Sequence, residues 1–241
     1  MLRVIFIVLV ALSFETSAQW FKTCTDQQLG ACHAKFNAKL GIQGEADWHN
    51  PNAMNYAIFS RLFRGTDGLL EVCDARQSYY NCLGPMYFSC MSPQWYVEHG
   101  TSFNDTFAFI SIFMGLEFMC SGGLTVGLFN WPCIVRSFRQ HDADLSKCSE
   151  TFQQEIAQNP DKICQWSAEY MDCFKKPFAT ECSAIDGESE WWACEYLYRA
   201  LGSYVHAYCP HLKCDVTPPP SQAPPAANNR VMNILSGEVN E

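Results

Sequence analysis

Apolar residues recur three and four positions apart over long stretches of this chain, which is the spacing of an α-helix that buries one face. The pattern covers residues 53–63, 68–82 and 188–208. In the last stretch the apolar positions are Trp191, Trp192, Tyr196, Leu197, Leu201, Tyr204 and Val205. Sustained alternation of apolar and polar residues, typical of half-buried strands, is missing. The pattern therefore predicts an all-α fold.

Residues that favour helix starts stand where the first apolar patterns begin. Thr25 and Gln28 have the spacing of a capping box, which predicts a helix from there to Leu40. Asn50 followed by Pro51 predicts a second start. Asparagine can cap the first turn, and proline fits the first helical position because that position needs no N–H donor.

The stretch from Phe107 to Phe129 has the length and apolarity of a membrane-spanning helix, with Glu117 as its one charge. Gly122 and Gly123 interrupt it, however. A span here, after a cleaved signal peptide, would also place the eight cysteines from Cys133 to Cys214 in a reducing cytosol. We therefore predict a buried helix followed by a turn, with membrane insertion as the alternative.

Both ends of the chain differ from this helical body. Residues 1–18 have a positive start, an apolar run at 4–12 and a small-residue cleavage site before Gln19, which predicts a signal peptide. Residues 215–229 hold five of the twelve prolines, a composition that favours extended polyproline II over a packed core. We predict a disordered tail over 215–241.

Fourteen cysteines change the picture most, because an even number with no C-x-x-C pair indicates disulfides rather than metal ligands. The tightest spacing is Cys209-x4-Cys214. Together with the signal peptide, this predicts a secreted, extracellular protein. Its 25 acidic and 16 basic residues give a net charge of −9, which excludes nucleic acid and disfavours anionic membranes as partners.

The cysteines fall into two similar sets. Cys73-x8-Cys82-x7-Cys90 parallels Cys164-x8-Cys173-x8-Cys182. Leu29-x2-Cys32-x3-Phe36 likewise parallels Leu145-x2-Cys148-x3-Phe152, and a tyrosine precedes each middle cysteine by three residues. This predicts one unit over 19–120 and a second over 121–214, with Cys194 and Cys214 as an added pair. The alternative is that the second unit resembles the first only in composition.

Sequence alone leaves the pairing open, because six cysteines allow fifteen arrangements. Nine residues along a helix place Cys73 and Cys82 on opposite faces, so each must reach a different helix. The predicted disulfide residues are Cys24, Cys32, Cys73, Cys82, Cys90, Cys120, Cys133, Cys148, Cys164, Cys173, Cys182, Cys194, Cys209 and Cys214.

Two modification sites are predicted. Asn104-Asp105-Thr106 is the one N-glycosylation sequon, expected in a loop before the apolar helix. Ser236-Gly237, with acidic neighbours in the tail, has the character of a glycosaminoglycan attachment site, since glycine allows an enzyme close approach. A second such pair, Ser121-Gly122, is expected to be buried.

Motifs of the common hydrolases, nucleotide-binding proteins and EF-hands are absent from the sequence, and we predict no enzyme, catalytic residue, metal or cofactor. The acidic strings 141–144 and 186–190 suit a solvated loop and a helix start better than a cation site. Trp191, Trp192, Tyr196 and Tyr198 suit core packing better than a ligand groove.

The runs VCDARQSYYNC (72–82) and ICQWSAEYMDC (163–173) resemble the cysteine-rich modules of secreted nematode proteins. The resemblance is strongest to the chondroitin proteoglycan 4 domain family, and related six-cysteine nematode domains of unknown function are the alternative. The resemblance is one of cysteine spacing over about 24–214. It implies secretion, a matrix or eggshell setting and chondroitin on Ser-Gly sites, of which Ser236 is the match here. Multiple Ser-Gly repeats are missing.

Two functions follow as hypotheses. The first is a structural or interaction protein of the extracellular matrix, bearing a chondroitin chain and binding matrix or cell-surface proteins. The second is a lipid or small-hydrophobe binder of saposin-like character, with residues 107–129 as the wall of its groove.

Overall fold

The computed structural model describes residues 23–44, 46–182 and 187–216, without the side chains at 203 and 204. These ranges contain helices and turns and no strand, which confirms the all-α prediction. The helices are α1 (Asp26–Leu40), α2 (Pro51–Leu62), α3 (Thr66–Leu83), α4 (Tyr87–Cys90), α5 (Pro93–Glu98), α6 (Phe103–Met119), α7 (Leu124–Gln140), α8 (Asp142–Gln158), α9 (Ile163–Glu181), α10 (Glu188–Ala200) and α11 (Gly202–Tyr208). Short 3₁₀ turns at Gly84–Met86 and Pro160–Lys162 precede α4 and α9.

The predicted caps start the first two helices. The Thr25 hydroxyl accepts a hydrogen bond from the Gln28 amide at 3.3 Å, and the Asn50 side chain accepts one from the Ala53 amide at 3.1 Å. Only half of the capping box forms: the Gln28 side chain does not return to the Thr25 amide, and its Nε2–H donates to the carbonyl of Cys82 in α3. The polar cap of α1 thus also ties that helix to its neighbour.

Helix α6 lies at the centre of the molecule, packed against α2, α3, α5, α7, α10 and α11. Phe109 and Phe113 are fully buried, and a turn over 120–123 leads into α7. The prediction of a buried helix followed by a turn is therefore confirmed. In the described ranges no single helix is long and apolar enough to cross a membrane; α6 and α7 meet that test only jointly, and they are bent by 107°.

The apolar stretch predicted over 188–208 is two helices rather than one. Helix α10 ends at Ala200, and α11 begins at Gly202, whose φ is +75°. A left-handed backbone at this point redirects the chain, and glycine adopts it without steric cost. Periodicity missed the break because Leu201 and Val205 are both buried and keep the apolar pattern unbroken.

One hydrophobic core runs through both predicted units. The indole N–H of Trp131 in α7 donates to the carbonyl of Leu62 in α2 at 3.1 Å. Arg139, also in α7, donates to the carbonyl of Phe63 at 2.8 Å. Both helices therefore have polar as well as apolar contacts across the boundary, and the two halves are packed together along their length.

Candidate functional site

All fourteen cysteines are paired, so no thiol in the chain is free. The bonds are Cys24–Cys90, Cys32–Cys82, Cys73–Cys120, Cys133–Cys182, Cys148–Cys173, Cys164–Cys209 and Cys194–Cys214. Each set of six pairs within itself in one order, first with fifth, second with fourth and third with sixth. Cys73 and Cys82 reach different partners, Cys120 after α6 and Cys32 in α1, as expected from their opposite faces.

The sequon is on a helix rather than in the expected loop. Asn104 lies in the first turn of α6 and is exposed. Ser102 caps this turn by accepting a hydrogen bond from the Asp105 amide at 3.1 Å. The serine cap extends the helix toward the N-terminus beyond the apolar run, which is why apolar spacing placed its start too late. The Thr106 side chain is fully buried, and glycosylation of Asn104 stays a prediction.

The structure describes only one of the two Ser-Gly pairs. Ser236 lies outside the described residues. Ser121 and Gly122 are exposed, so the prediction that they are buried is wrong. They form the tip of the turn between α6 and α7, where the apolar pattern ends and the chain reverses. The Ser121 hydroxyl donates to the carbonyl of Glu117 one turn back.

Acidic strings mark helix starts. His141 precedes α8, with Asp142 and Asp144 in its first turn, where carboxylates favour the helix dipole. This segment is helical rather than a solvated loop. Glu188 and Glu190 lie in the first turn of α10, as expected, and Asp186 lies outside the described residues. Among the described residues, no group of three or more acidic, histidine or cysteine side chains is placed to hold a metal ion.

The tryptophans and tyrosines of α10 pack into the core, as expected. Trp192 is fully buried, its ring stacks on Tyr196 at 5.3 Å, and its N–H donates to the carbonyl of Gly123 at 3.0 Å. Burial raises the pKa of Tyr196 above its ordinary value, so this phenol stays neutral.

An open groove of about 600 Å³ lies instead between α8 and α9, where the sequence analysis placed no site. The Cys148–Cys173 disulfide lies in its wall, and Phe152 stacks on Tyr170 with ring centroids 4.7 Å apart. Trp166 lines one end, its N–H donating to the carbonyl of Asn159 at 3.3 Å. Burial raises the pKa of Tyr170, which keeps a neutral aromatic surface in the groove.

Charges of both signs line the groove. The acidic groups are those of Asp144, Glu155 and Glu169, and the basic ones are Lys147 and Lys176, with His141 near one end. With three acidic and two basic groups, the opposite charges nearly balance, so the lining has no strong field of one sign that would select a charged ligand. The lining also offers no free thiol, since its two cysteines are bonded to each other. The groove is equipped to bind an apolar or uncharged ligand by contact.

The last described residues are held beside α9, on the side away from this groove. Lys175 is buried, and its ammonium group contacts the carboxylates of Asp172 at 3.0 Å and Glu190 at 3.9 Å and donates to Asp215. Desolvation works to lower the pKa of Lys175, but the bonds to Asp215 and Asp172 outweigh it and raise that pKa. The Lys175 hydrogen bond lowers the pKa of Asp215.

His33 is a buried titratable residue that sequence reasoning missed. Its ring is packed among Trp48, Tyr79 and Phe109, each with its centroid 5.5 Å away, and is 2% exposed. Neither ring nitrogen has a hydrogen-bond partner among the described residues. Desolvation lowers the pKa of His33 to about 4, against a smaller opposing effect of Asp47.

No model of a known protein family matches this chain, and no curated protein or solved structure matches it.

Proposed function

We propose that the protein is a secreted, non-enzymatic interaction scaffold of an extracellular matrix. The observation that carries this proposal is the complete pairing of fourteen cysteines into seven disulfides. Such a framework persists in oxidising compartments and stabilises a fold against extracellular conditions by constraining the unfolded chain. The described surface adds an open groove with aromatic side chains in its wall and no free thiol, which is consistent with binding by contact.

A chondroitin chain on Ser236 belongs to the same proposal, and its support is the resemblance of 72–82 and 163–173 to chondroitin proteoglycan modules. The test is secretion from cultured animal cells followed by chondroitinase digestion. We expect a broad, heavy band to collapse to a sharp one, and Ser236→Ala to abolish the broad band. Ser121→Ala is the matched control, because this serine also precedes a glycine in the sequence and is itself exposed.

The proteoglycan part is contradicted if chondroitinase leaves the migration of the secreted protein unchanged. The scaffold part has a separate test. The secreted protein should remain with the deposited matrix during a detergent wash and be released by a reducing wash that unfolds it. Recovery of all of it in the culture medium, with none in the matrix, would contradict a matrix role.

Binding of a small hydrophobe is the second candidate, favoured by the groove between α8 and α9. Its volume of about 600 Å³ lies within the usual range of ligand pockets, and its wall includes Phe152, Trp166 and Tyr170. Residues 107–129, the wall first expected, are unsuited to this role because Phe109, Phe113 and Leu116 are buried in the core. Native mass spectrometry of the secreted protein should show a bound mass that is released in organic solvent.

A further inference from the structure

The described chain ends next to the helix that forms one wall of the α8–α9 groove. The Cys194–Cys214 disulfide and the bond from Lys175 to Asp215 fix the exit point, and Val216 follows. Lys175 is five residues from Tyr170 and two from Cys173, about 140° and 200° around α9 from these groove-lining residues, so the exit point and the groove lie on opposite sides of the helix. Only the thickness of one helix, about 10–12 Å, separates the two.

The segment that follows has the reach to occupy the groove. Residues 217–229 (TPPPSQAPPAANN) number thirteen and span about 40 Å in a polyproline II conformation at about 3.1 Å per residue. Along α9 the lining runs from Trp166 to Thr180, which is about 21 Å at about 1.5 Å per residue. The segment can cross the helix and still cover the whole groove.

The chemistry of the segment also fits the groove. Proline-rich segments dock on aromatic-lined grooves because their extended conformation loses little entropy on binding. Pro218 and Pro224 are six residues apart, two polyproline turns, and so lie on one side of the segment. Residues 217–229 carry no charge, which suits a groove whose three acidic and two basic groups nearly balance.

We propose that the proline-rich segment 217–229 docks in the α8–α9 groove of its own chain, with proline rings on the surface formed by Phe152, Trp166 and Tyr170. Docking covers the aromatic surface and leaves residues 230–241 projecting from the body. This proposal does not depend on the matrix role or on glycan at Ser236.

The test is ¹⁵N relaxation of the full-length secreted chain. The amides of 221–223 and 226–229 should have order parameters of about 0.8, whereas those of 233–241, in the same tail, should fall below about 0.6. Thr151→Arg places a long charged side chain at an exposed position of the groove. It should lower the order parameters of 221–229 to those of 233–241.

Gln153→Arg is the matched control, because it adds the same charge on the same helix at an exposed position outside the lining. It should leave the order parameters unchanged. The proposal would be overturned by equal mobility of 221–229 and 233–241 in the wild type, by order that survives Thr151→Arg, or by order that disappears on dilution, which would indicate docking between molecules. A co-purified hydrophobe filling the groove would overturn it as well.

Discussion

At the scale of single residues, sequence failed to predict the environment of side chains that are surrounded by distant parts of the chain. Thr25 and Asn50 act as caps through amides three residues away, so local sequence predicted them. His33 is enclosed by rings from the 41–50 loop, α3 and α6, and no pattern near residue 33 indicates this. A cap depends on residues a few positions away in the sequence, whereas burial depends on residues that are brought together only by the fold.

The buried imidazole of His33 makes stability depend on pH. The folded pKa of about 4 lies below the ordinary value of 6.5, so the unfolded chain takes up a proton first as the pH falls. Stability is therefore complete above pH 6.5 and is lost on the way down to about 4. By linkage the loss between pH 7 and 4.5 is roughly 2–3 kcal/mol.

Guanidinium unfolding of wild type and His33→Phe at several pH values checks this. Phenylalanine fills a similar volume without titrating, so its curve should be flatter between pH 6.5 and 4 by about that amount. Asp47 and the buried Tyr79, which also face the ring, are present in both proteins. Parallel curves would show that His33 is not buried as described.

Two helical glycines should respond oppositely to alanine. A Cβ at Gly68 in α3 would lie 2.0 Å from the backbone carbonyl oxygen of Arg61, so Gly68→Ala must separate α3 from α2, at a cost of roughly 1–3 kcal/mol. A Cβ at Gly30 in α1 meets no atom within 4 Å, and Gly30→Ala should stabilise the protein by about 0.5–1 kcal/mol. Denaturation midpoints that move in the same direction would contradict the α2–α3 packing.

At the scale of elements, the sequence predicted where helices form better than it predicted where they break and how they pack. Helices α2 and α3 match the predicted stretches because a one-sided apolar pattern is a local property. The break at Gly202 and the groove between α8 and α9 were missed. Phe152 and Tyr170 were noted only as matched positions of the repeat, and that they stack became visible only when the two helices were placed.

The extra disulfide should stabilise the end of the helical body. Cys194 in α10 and Cys214 are 20 residues apart, and closing such a loop in the unfolded chain is worth about 3 kcal/mol. Cys24 and Cys90, 66 residues apart, should contribute about 4 kcal/mol.

Replacing both cysteines of either pair by alanine, followed by guanidinium unfolding, measures these values. Without this bond the main remaining attachment of residues 214–216 is the contact of Asp215 with Lys175, so the Cys194→Ala, Cys214→Ala protein should also lose order over residues 210–216 while α1–α9 keep their spectra. A global loss of structure would contradict that local role.

At the scale of the whole molecule, the disulfides divide the chain into two separate sets, whereas the hydrophobic core is shared by both. Cysteine spacing separated two sets, and the bonds stay within those sets in one shared order. That shared order is what a duplication would produce, and the duplication remains a hypothesis. The apolar pattern could not show that both sets enclose one core, because it carries no information about which helix faces which.

Peptide mapping of the unreduced secreted protein tests this arrangement directly. Digestion should yield the seven linked peptide pairs, with Cys32 joined to Cys82 and Cys148 joined to Cys173. A bond between a cysteine before residue 121 and one after it would contradict both the fold and the two-set hypothesis.

The turn between α6 and α7 has a consequence for proteolysis. Every peptide bond from Cys24 to Cys120 is bridged by at least one disulfide, and so is every bond from Cys133 to Cys214. A single cut in either stretch leaves the fragments covalently joined. Between Cys24 and Cys214, only a cut in the stretch from Cys120 to Cys133 leaves two pieces with no covalent link, and Ser121 and Gly122 are exposed there. A protease that reaches this turn could therefore divide the protein into two still cross-linked halves, held together afterwards only by their shared core.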